Sequence, residues 1–308
     1  MRSKGRIVVA YDGSESSRLA LTWGLGAGRA HGLEVLVVHA VDEAARVGDG
    51  LAAGGYAGSA RQMIHDSVDE LLVEAADTAR LEFPTVSLET HVVYGAAVPG
   101  LLDLIADAEM CVVGSRGRGG FAGLLLGSTS VELTAHATCP IVVVRSQQSA
   151  EPGSESGRVV VGVDGSDAGA AAVAFAFEEA SLRGVALTAI HAWELPFVEV
   201  PLLGGPDQVE SLYGENESSE GRLLAEALSG WQERFPDVSV RRKLLRGTAA
   251  QILIEASPGA ELLVVGSRGR GGFSTLLLGS VSHAVLHHAR SPVAVVRGDH
   301  ASGLHQDE

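Results

Sequence analysis

GSRGRGGFAGLLLGS, residues 114–128, and GSRGRGGFSTLLLGS, residues 266–280, are two copies of one stretch that differ at only two positions. Each copy begins where an apolar run ends, MCVVG (110–114) and LLVVG (262–266), and closes on a Gly-Ser pair that opens a helical stretch. The copies lie 152 residues apart, and the same offset carries Asp12 onto Asp164, His39 onto His191, Gly95 onto Gly247 and Pro140 onto Pro292. Similarity maintained at one long period marks a duplicated structural unit. Glycine at fixed places in such a loop lets backbone N–H groups close around an anion. The repeat therefore predicts a binding site made in duplicate.

Outward from the loop, the first half reads as alternating strands and helices. Apolar runs at 7–11, 35–41, 85–93, 110–114 and 141–144 predict five strands, the second almost wholly apolar, as a strand covered on both faces should be. Between them, a helix is expected through Leu19, Leu21, Trp23 and Leu25. A second carries Ile64, Val68, Leu71, Leu72, Ala75 and Ala79 on one face, and further helices fall at 98–106 and 129–137. Runs at 159–163, 186–192, 238–245, 262–266 and 293–296 repeat the strands. Strands alternating with helices imply right-handed crossovers and an α/β fold, a parallel sheet with helices on both faces. Ligands of such sheets bind beyond the carboxyl ends of the strands, where strand order reverses. Asp12, Ala40 and Gly114 all fall at those ends.

The expected organisation is a first domain at 1–146, a linker at 147–157, a second domain at 158–298 and a tail at 299–308. The polar SQQSAEPGSESG around the linker and the final GDHASGLHQDE read as flexible, and the Gly- and Ala-rich 42–59 as a mobile excursion. A length of 308 residues agrees with a prior of about 150 per domain. No apolar run approaches the roughly 18 residues that span a bilayer, and MRSKGRIVVAYDGS does not read as a signal peptide. Cys111 and Cys139 sit at non-matching places in the repeat, which argues against a shared disulfide or metal cluster and for a reducing, cytoplasmic setting.

Net charge is −15, with −6 in residues 1–146 (11 Lys and Arg against 17 Asp and Glu) and −9 in 147–308 (12 against 21). Neither duplex nucleic acid nor an anionic membrane is an expected partner of so acidic a chain. Against that background the loop arginines Arg116, Arg118, Arg268 and Arg270 stand out. The two lysines, Lys4 and Lys243, lie outside both loops, and no GxxxxGK[ST] phosphate loop is present.

The loop chemistry follows from residue type. Gly114 ends a strand, so backbone can approach a ligand; Gly117 permits a turn that aims N–H groups inward. Gly127-Ser128 opens a helix, whose first N–H groups and positive dipole end attract phosphate. Ser128 and Ser130 add hydroxyls, and Arg116 or Arg118 neutralises charge without lysine. Asp12 and Asp164 sit in Asp-Gly turns, where self-capping of the backbone and ligand contact can coexist. His39 and His191 read as packed histidines rather than catalytic bases, Cys111 as core, and the leucines at 124–126 and 276–278 as packing the loop down.

Strand-DGS, helix, a strand ending in His-Ala, then G-x2-G-x9-G-[ST] resembles the universal stress protein family, in the tandem form of its ATP-binding branch, over residues 5–146 and 157–298. The resemblance implies two Rossmann-like, adenine nucleotide alpha hydrolase-like domains, each a five-stranded parallel sheet of order 3-2-1-4-5 with adenine nucleotide over the strand ends. It places Asp12 and Asp164 at ribose or adenine, and the backbone of Ala40 and Ala192 at the adenine, with Ala10, Tyr11, Gly162 and Val163 alongside. The phosphates would fall to Gly114, Arg116, Gly117, Gly127, Ser128 and Ser130, with Val113 and Thr129 also at the nucleotide. In the second half they would fall to Gly266, Arg268, Gly269, Gly279, Ser280 and Ser282, with Val265 and Val281 also at the nucleotide.

No Ser-His-Asp set, carboxylate pair or HExxH can be placed beside the loops. The expectation is a nucleotide-dependent stress regulator or sensor that binds ATP at two sites, with Mg²⁺ as a companion ion. A slow adenine-nucleotide hydrolase or nucleotidyl-transferring enzyme of the same fold is the alternative. A protein partner of unstated identity is expected, and the apolar last strands, 141–144 and 293–296, suggest an internal pseudo-dimer or a homodimer.

Overall fold

A computed structural model describes residues 5–42, 57–118, 125–145, 153–194, 206–269 and 277–298, and the chain divides into two compact units, Met1–Ser146 and Gln147–Glu308. The first unit runs β1 (Ile7–Ala10), α1 (Glu15–His31), β2 (Val35–Val41), α2 (Ala57–Glu82), β3 (Leu88–Tyr94), α3 (Ala97–Ile105), β4 (Met110–Gly114), α4 (Ser128–His136) and β5 (Ile141–Val144). The second runs β6 (Val159–Gly162), α5 (Asp167–Arg183), β7 (Leu187–Trp193), α6 (Pro206–Ala227), a short α7 (Trp231–Arg234), β8 (Val240–Arg246), α8 (Ala249–Ala256), β9 (Leu262–Gly266), α9 (Ser280–His288) and β10 (Val293–Val296).

The strand order is β3-β2-β1-β4-β5 in the first unit and β8-β7-β6-β9-β10 in the second, the 3-2-1-4-5 order that the resemblance implies. Every pairing within these sheets is parallel; Ile7 faces Val35 on one side and Met110 on the other, and Val112 faces Val142. Chain progression reverses between β1 and β4. With right-handed crossovers that reversal sends α1 and α2 to one face and α3 and α4 to the other. The central strands are dry: Ile7, Val8, Val9, Cys111, Val112 and Val142 are fully buried.

Local chemistry explains the start of α1. Gly13 and Gly165 have φ of 75° and 72°, in the left-handed region that glycine enters without a Cβ clash. Each turn delivers a serine to the helix N-cap: Ser14 Oγ accepts from Ser17 N–H, and Ser166 Oγ from Gly169 N–H. Ser14→Ala is expected to cost about 1 kcal/mol of unfolding free energy, read from urea denaturation of the full chain.

The structure corrects several sequence readings. Leu19 lies on the exposed side of α1, whose buried face is Ser17, Ala20, Leu21, Gly24, Leu25, Ala27 and Gly28. The apolar residues 19, 21, 23 and 25 alternate, whereas a helix buries positions three and four apart. The third strand begins at Leu88, not at 85, because Pro84 and Thr85 form a turn. The supposed excursion is helical from Ala57, and its residues 43–56 lie outside the described residues, as does the tail at 299–308. The linker's last residues are packed rather than loose. Gly153 N–H donates to Pro258 O (3.0 Å), Gly157 N–H donates to Gly259 O (2.9 Å), and the Glu155 side chain is fully buried.

Candidate functional site

Over the carboxyl ends of β1, β2 and β4 lies a cavity of about 530 Å³, and over those of β6, β7 and β9 a second of about 500 Å³. All twelve residues assigned to the first site from the sequence line the first cavity: Ala10, Tyr11, Asp12, Ala40, Val113, Gly114, Arg116, Gly117, Gly127, Ser128, Thr129 and Ser130. The twelve of the second half likewise line the second: Gly162, Val163, Asp164, Ala192, Val265, Gly266, Arg268, Gly269, Gly279, Ser280, Val281 and Ser282. The fold thus brings together segments more than a hundred residues apart. Arg118 joins the first cavity; Arg270 and residues 119–124 and 271–276 lie outside the described residues.

The glycines are needed for close approach. A Cβ on Gly114 would sit 2.7 Å from the Ser16 carbonyl carbon and 2.8 Å from Ser17 N, both backbone atoms of α1. One on Gly117 would sit 2.7 Å from Asp12 Oδ2, and one on Gly269 2.5 Å from Asp164 Oδ2. The loop is therefore pressed onto the Asp-Gly-Ser turn. Asp12 joins the two: Oδ1 accepts Ser14 N–H (3.0 Å) and Oδ2 accepts Arg118 N–H (2.8 Å). Ser14 Oγ donates to Arg116 O (3.2 Å), and Ser16 Oγ also meets that carbonyl. Burial alone would raise the Asp12 carboxyl, but donors from Ser14, the Arg118 amide and Ser17 outweigh it and hold the group below its ordinary value. In the second half Ser166 N–H (3.0 Å) and Oγ (2.7 Å) both donate to Asp164 Oδ1.

These bonds revise the expected donor set. The Arg118 amide is committed to Asp12 and that of Arg116 to Ser16 Oγ (3.3 Å), so the amides flanking Gly117 do not aim inward as the sequence suggested. Ser130 Oγ donates to Gly114 O (2.7 Å), and Ser282 Oγ to Gly279 O (2.9 Å) and Ser267 O (3.0 Å). Both hydroxyls hold the strand end and loop in place rather than facing a ligand. Further donors stand at the starts of α4 and α9. Their N-caps are Gly127 and Gly279, with no side-chain cap, and their first-turn residues Ser128–Ser130 and Ser280–Ser282 line the cavities. First-turn N–H groups have no partner inside a helix, so here they meet the cavity. Arg116 and Arg268 stand beside them, exposed. Burial, with the charge of Arg116 adding, lowers the Arg145 guanidinium below its ordinary value.

At the other end each cavity is apolar. Val38, Ala97 and Leu101 contribute in the first, and Ile190, Ala249 and Leu253 in the second, so that β2 with α3, or β7 with α8, supplies a wall. The sequence reading missed these residues and Ser17. The 152-residue offset pairs Ala97 with Ala249 and Leu101 with Leu253, a signal that was present in the repeat. His39 and His191 are buried, and Nδ1 of each lies 2.6 Å from a β-strand-end carbonyl, Tyr11 O and Val163 O. His191 Nε2 also meets Glu220 Oε2 at 2.6 Å. Both histidines thus fix strand ends below the cavity. Cys111 and Cys139 are buried free thiols; burial pushes Cys111 well up and Cys139 up to about 12, so both stay protonated.

The sequence profile of the Universal stress protein family matches residues 4–145 and 155–297, once in each unit. The chain belongs to the universal stress protein family. Among its relatives, Universal stress protein Rv2005c of Mycobacterium tuberculosis is 40% identical over 301 residues, covering 96% of this chain and 98% of the relative. Universal stress protein Rv2623 of the same organism is 39% identical over 294 residues, covering 94% and 96%. A crystal structure of a universal stress protein from Archaeoglobus fulgidus matches in fold, with TM-score 0.62 at 21% identity, over 95% of this chain and 96% of that one. The two stress-protein units thus share the fold of that solved relative across their length, and among the described residues no helix is long and apolar enough to cross a membrane.

Proposed function

We propose that each unit binds one adenine nucleotide, ATP, and that the protein acts as a nucleotide-dependent regulator of the stress response rather than as a metabolic catalyst. The observation that carries this reading is the polarity of each cavity. An uncapped helix start with a neighbouring arginine occupies one end, and apolar β2/α3 or β7/α8 side chains occupy the other. A polyphosphate suits the first end, where N–H donors and positive dipole meet its charge. A flat, uncharged base suits the second, where apolar area is removed from water. Asp12 and Asp164, which also line the cavities and order the turn, would meet the ribose. Mg²⁺ would accompany the phosphates and reduce their mutual repulsion. A cytoplasmic location belongs to the same proposal.

The experiment is equilibrium dialysis of ATP against full-length protein stripped of nucleotide. The reading expects close to two ATP bound per chain, with ATP recovered intact over hours. Binding near zero overturns it; steady release of phosphate in proportion to protein overturns the regulatory reading in favour of hydrolysis.

A further inference from the structure

Helix α9 carries a feature that its counterpart α4 lacks. Three histidines, His283, His287 and His288, fall within nine residues, where α4 has Val131, Ala135 and His136 at the matching positions. His283 and His287 are four residues apart, so they share one helix face. His283 is exposed and His287 half-buried, and their ring centres lie 4.5 Å apart with the planes tilted by 36°. His288 stands farther off, its ring centre 6.2 Å from that of His287.

We propose that His283 and His287 form a two-imidazole binding site for a divalent first-row transition-metal ion, present in the second unit only. Imidazole is a preferred ligand of zinc, copper and nickel, and a pair of histidines four apart on a helix is a recurrent chelating arrangement. The geometry agrees. With metal–nitrogen bonds of about 2.0–2.1 Å, the centre of a bound imidazole lies about 3.2 Å from the metal, so two adjacent ligand rings have centres about 4.5–5.2 Å apart. The observed separation of 4.5 Å falls within that range. Among the described residues no group of three or more His, Cys, Asp or Glu side chains is placed to hold a metal, so the remaining positions take water or another oxygen donor. Ser280, three residues before His283 and on the same stripe of the helix, lines the second cavity. The ion thus sits about one helical turn from the point where α9 opens onto that cavity.

The test is calorimetric titration of the full-length protein with Ni²⁺ alone, without nucleotide. One equivalent binding at micromolar Kd is expected. His283→Ala and His287→Ala should each weaken it at least tenfold, whereas His136→Ala should leave it unchanged. Circular dichroism melting curves without metal confirm that each variant folds. Unchanged affinity and stoichiometry in both His283→Ala and His287→Ala, or no micromolar binding by the natural sequence, overturns the proposal.

Discussion

Ser128→Asp is expected to leave the protein folded and to reduce the ATP bound from about two per chain to about one. Ser128 is the first residue of α4, exposed, with Gly127 as an N-cap that offers no side-chain acceptor. A carboxylate there interacts favourably with the helix dipole, by about 0.3–1 kcal/mol, so the unfolding transition should be unchanged or slightly later. The same carboxylate would occupy the place proposed for phosphate. Two unit charges about 4 Å apart near a protein surface repel by about 4 kcal/mol, close to a thousandfold in Kd. Ser280→Asp should do the same to the second site. The pair of single variants therefore separates the two sites, and the double variant should bind no ATP. Isothermal titration with a parallel thermal melt distinguishes this from misfolding. A Ser128→Asp protein that still binds two ATP at the original affinity would place the phosphates elsewhere.

Glu155→Ala should destabilise the second unit by about 1.5–3 kcal/mol, the usual worth of hydrogen bonds to a charged group, because the cations it leaves behind keep contact with water. Glu155 has a fully buried side chain among three cations: Lys243 Nζ contacts Oε1, and Arg241 Nη1 and Arg158 Nε lie 3.6 and 3.7 Å from Oε2. Thr188 Oγ1 also donates to Oε2, and Ser154 Oγ to Oε1 at 3.0 Å. This cluster ties the segment before β6 to the amino-terminal ends of β7 and β8. Burial on its own would raise the Glu155 carboxyl, but the bonds from Lys243, Thr188 and Ser154 prevail and hold it below the ordinary 4.5. Its stabilising contribution is therefore complete above about pH 4.5 and is lost as pH falls through the lowered value. Urea denaturation at pH 7 and at pH 3 checks both statements: the gap between natural and Glu155→Ala proteins should narrow in acid. Adding Lys243→Met, which removes the stranded ammonium, should restore part of the loss.

How much of this was legible in the sequence depends on the range of the interactions involved. The parallel α/β architecture and the duplication could be read from apolar runs such as IVVV in β5 and from residues repeating at one offset, while the loop and turn part of each cavity lining came with the family resemblance. Those signals are local or periodic. What escaped were contacts that only folding creates. Glu155 lies in a Ser-, Gly- and Pro-rich segment whose composition says linker, and its partners Thr188 and Lys243 come from 33 and 88 residues away. The amides flanking Gly117 were expected to face a ligand because glycine permits it. Asp12, 106 residues before Arg118, claims one of them instead. Ser130, from its residue type and the resemblance, and Ser282, from the resemblance, were expected at the phosphates, and their hydroxyls donate to backbone carbonyls of the preceding strand end or loop. Leu19 was misplaced for a simpler reason: a period of two was read into a helix.

The central claim is that the starts of α4 and α9 receive the phosphates of ATP, one molecule over each sheet. A crystal structure of the full chain grown with saturating ATP and Mg²⁺ tests it directly. The account predicts difference density for polyphosphate against the backbone of residues 128–130 and 280–282, with each base lying toward Ala40 or Ala192. Empty cavities at saturating nucleotide, or ATP bound elsewhere on the protein, would contradict it.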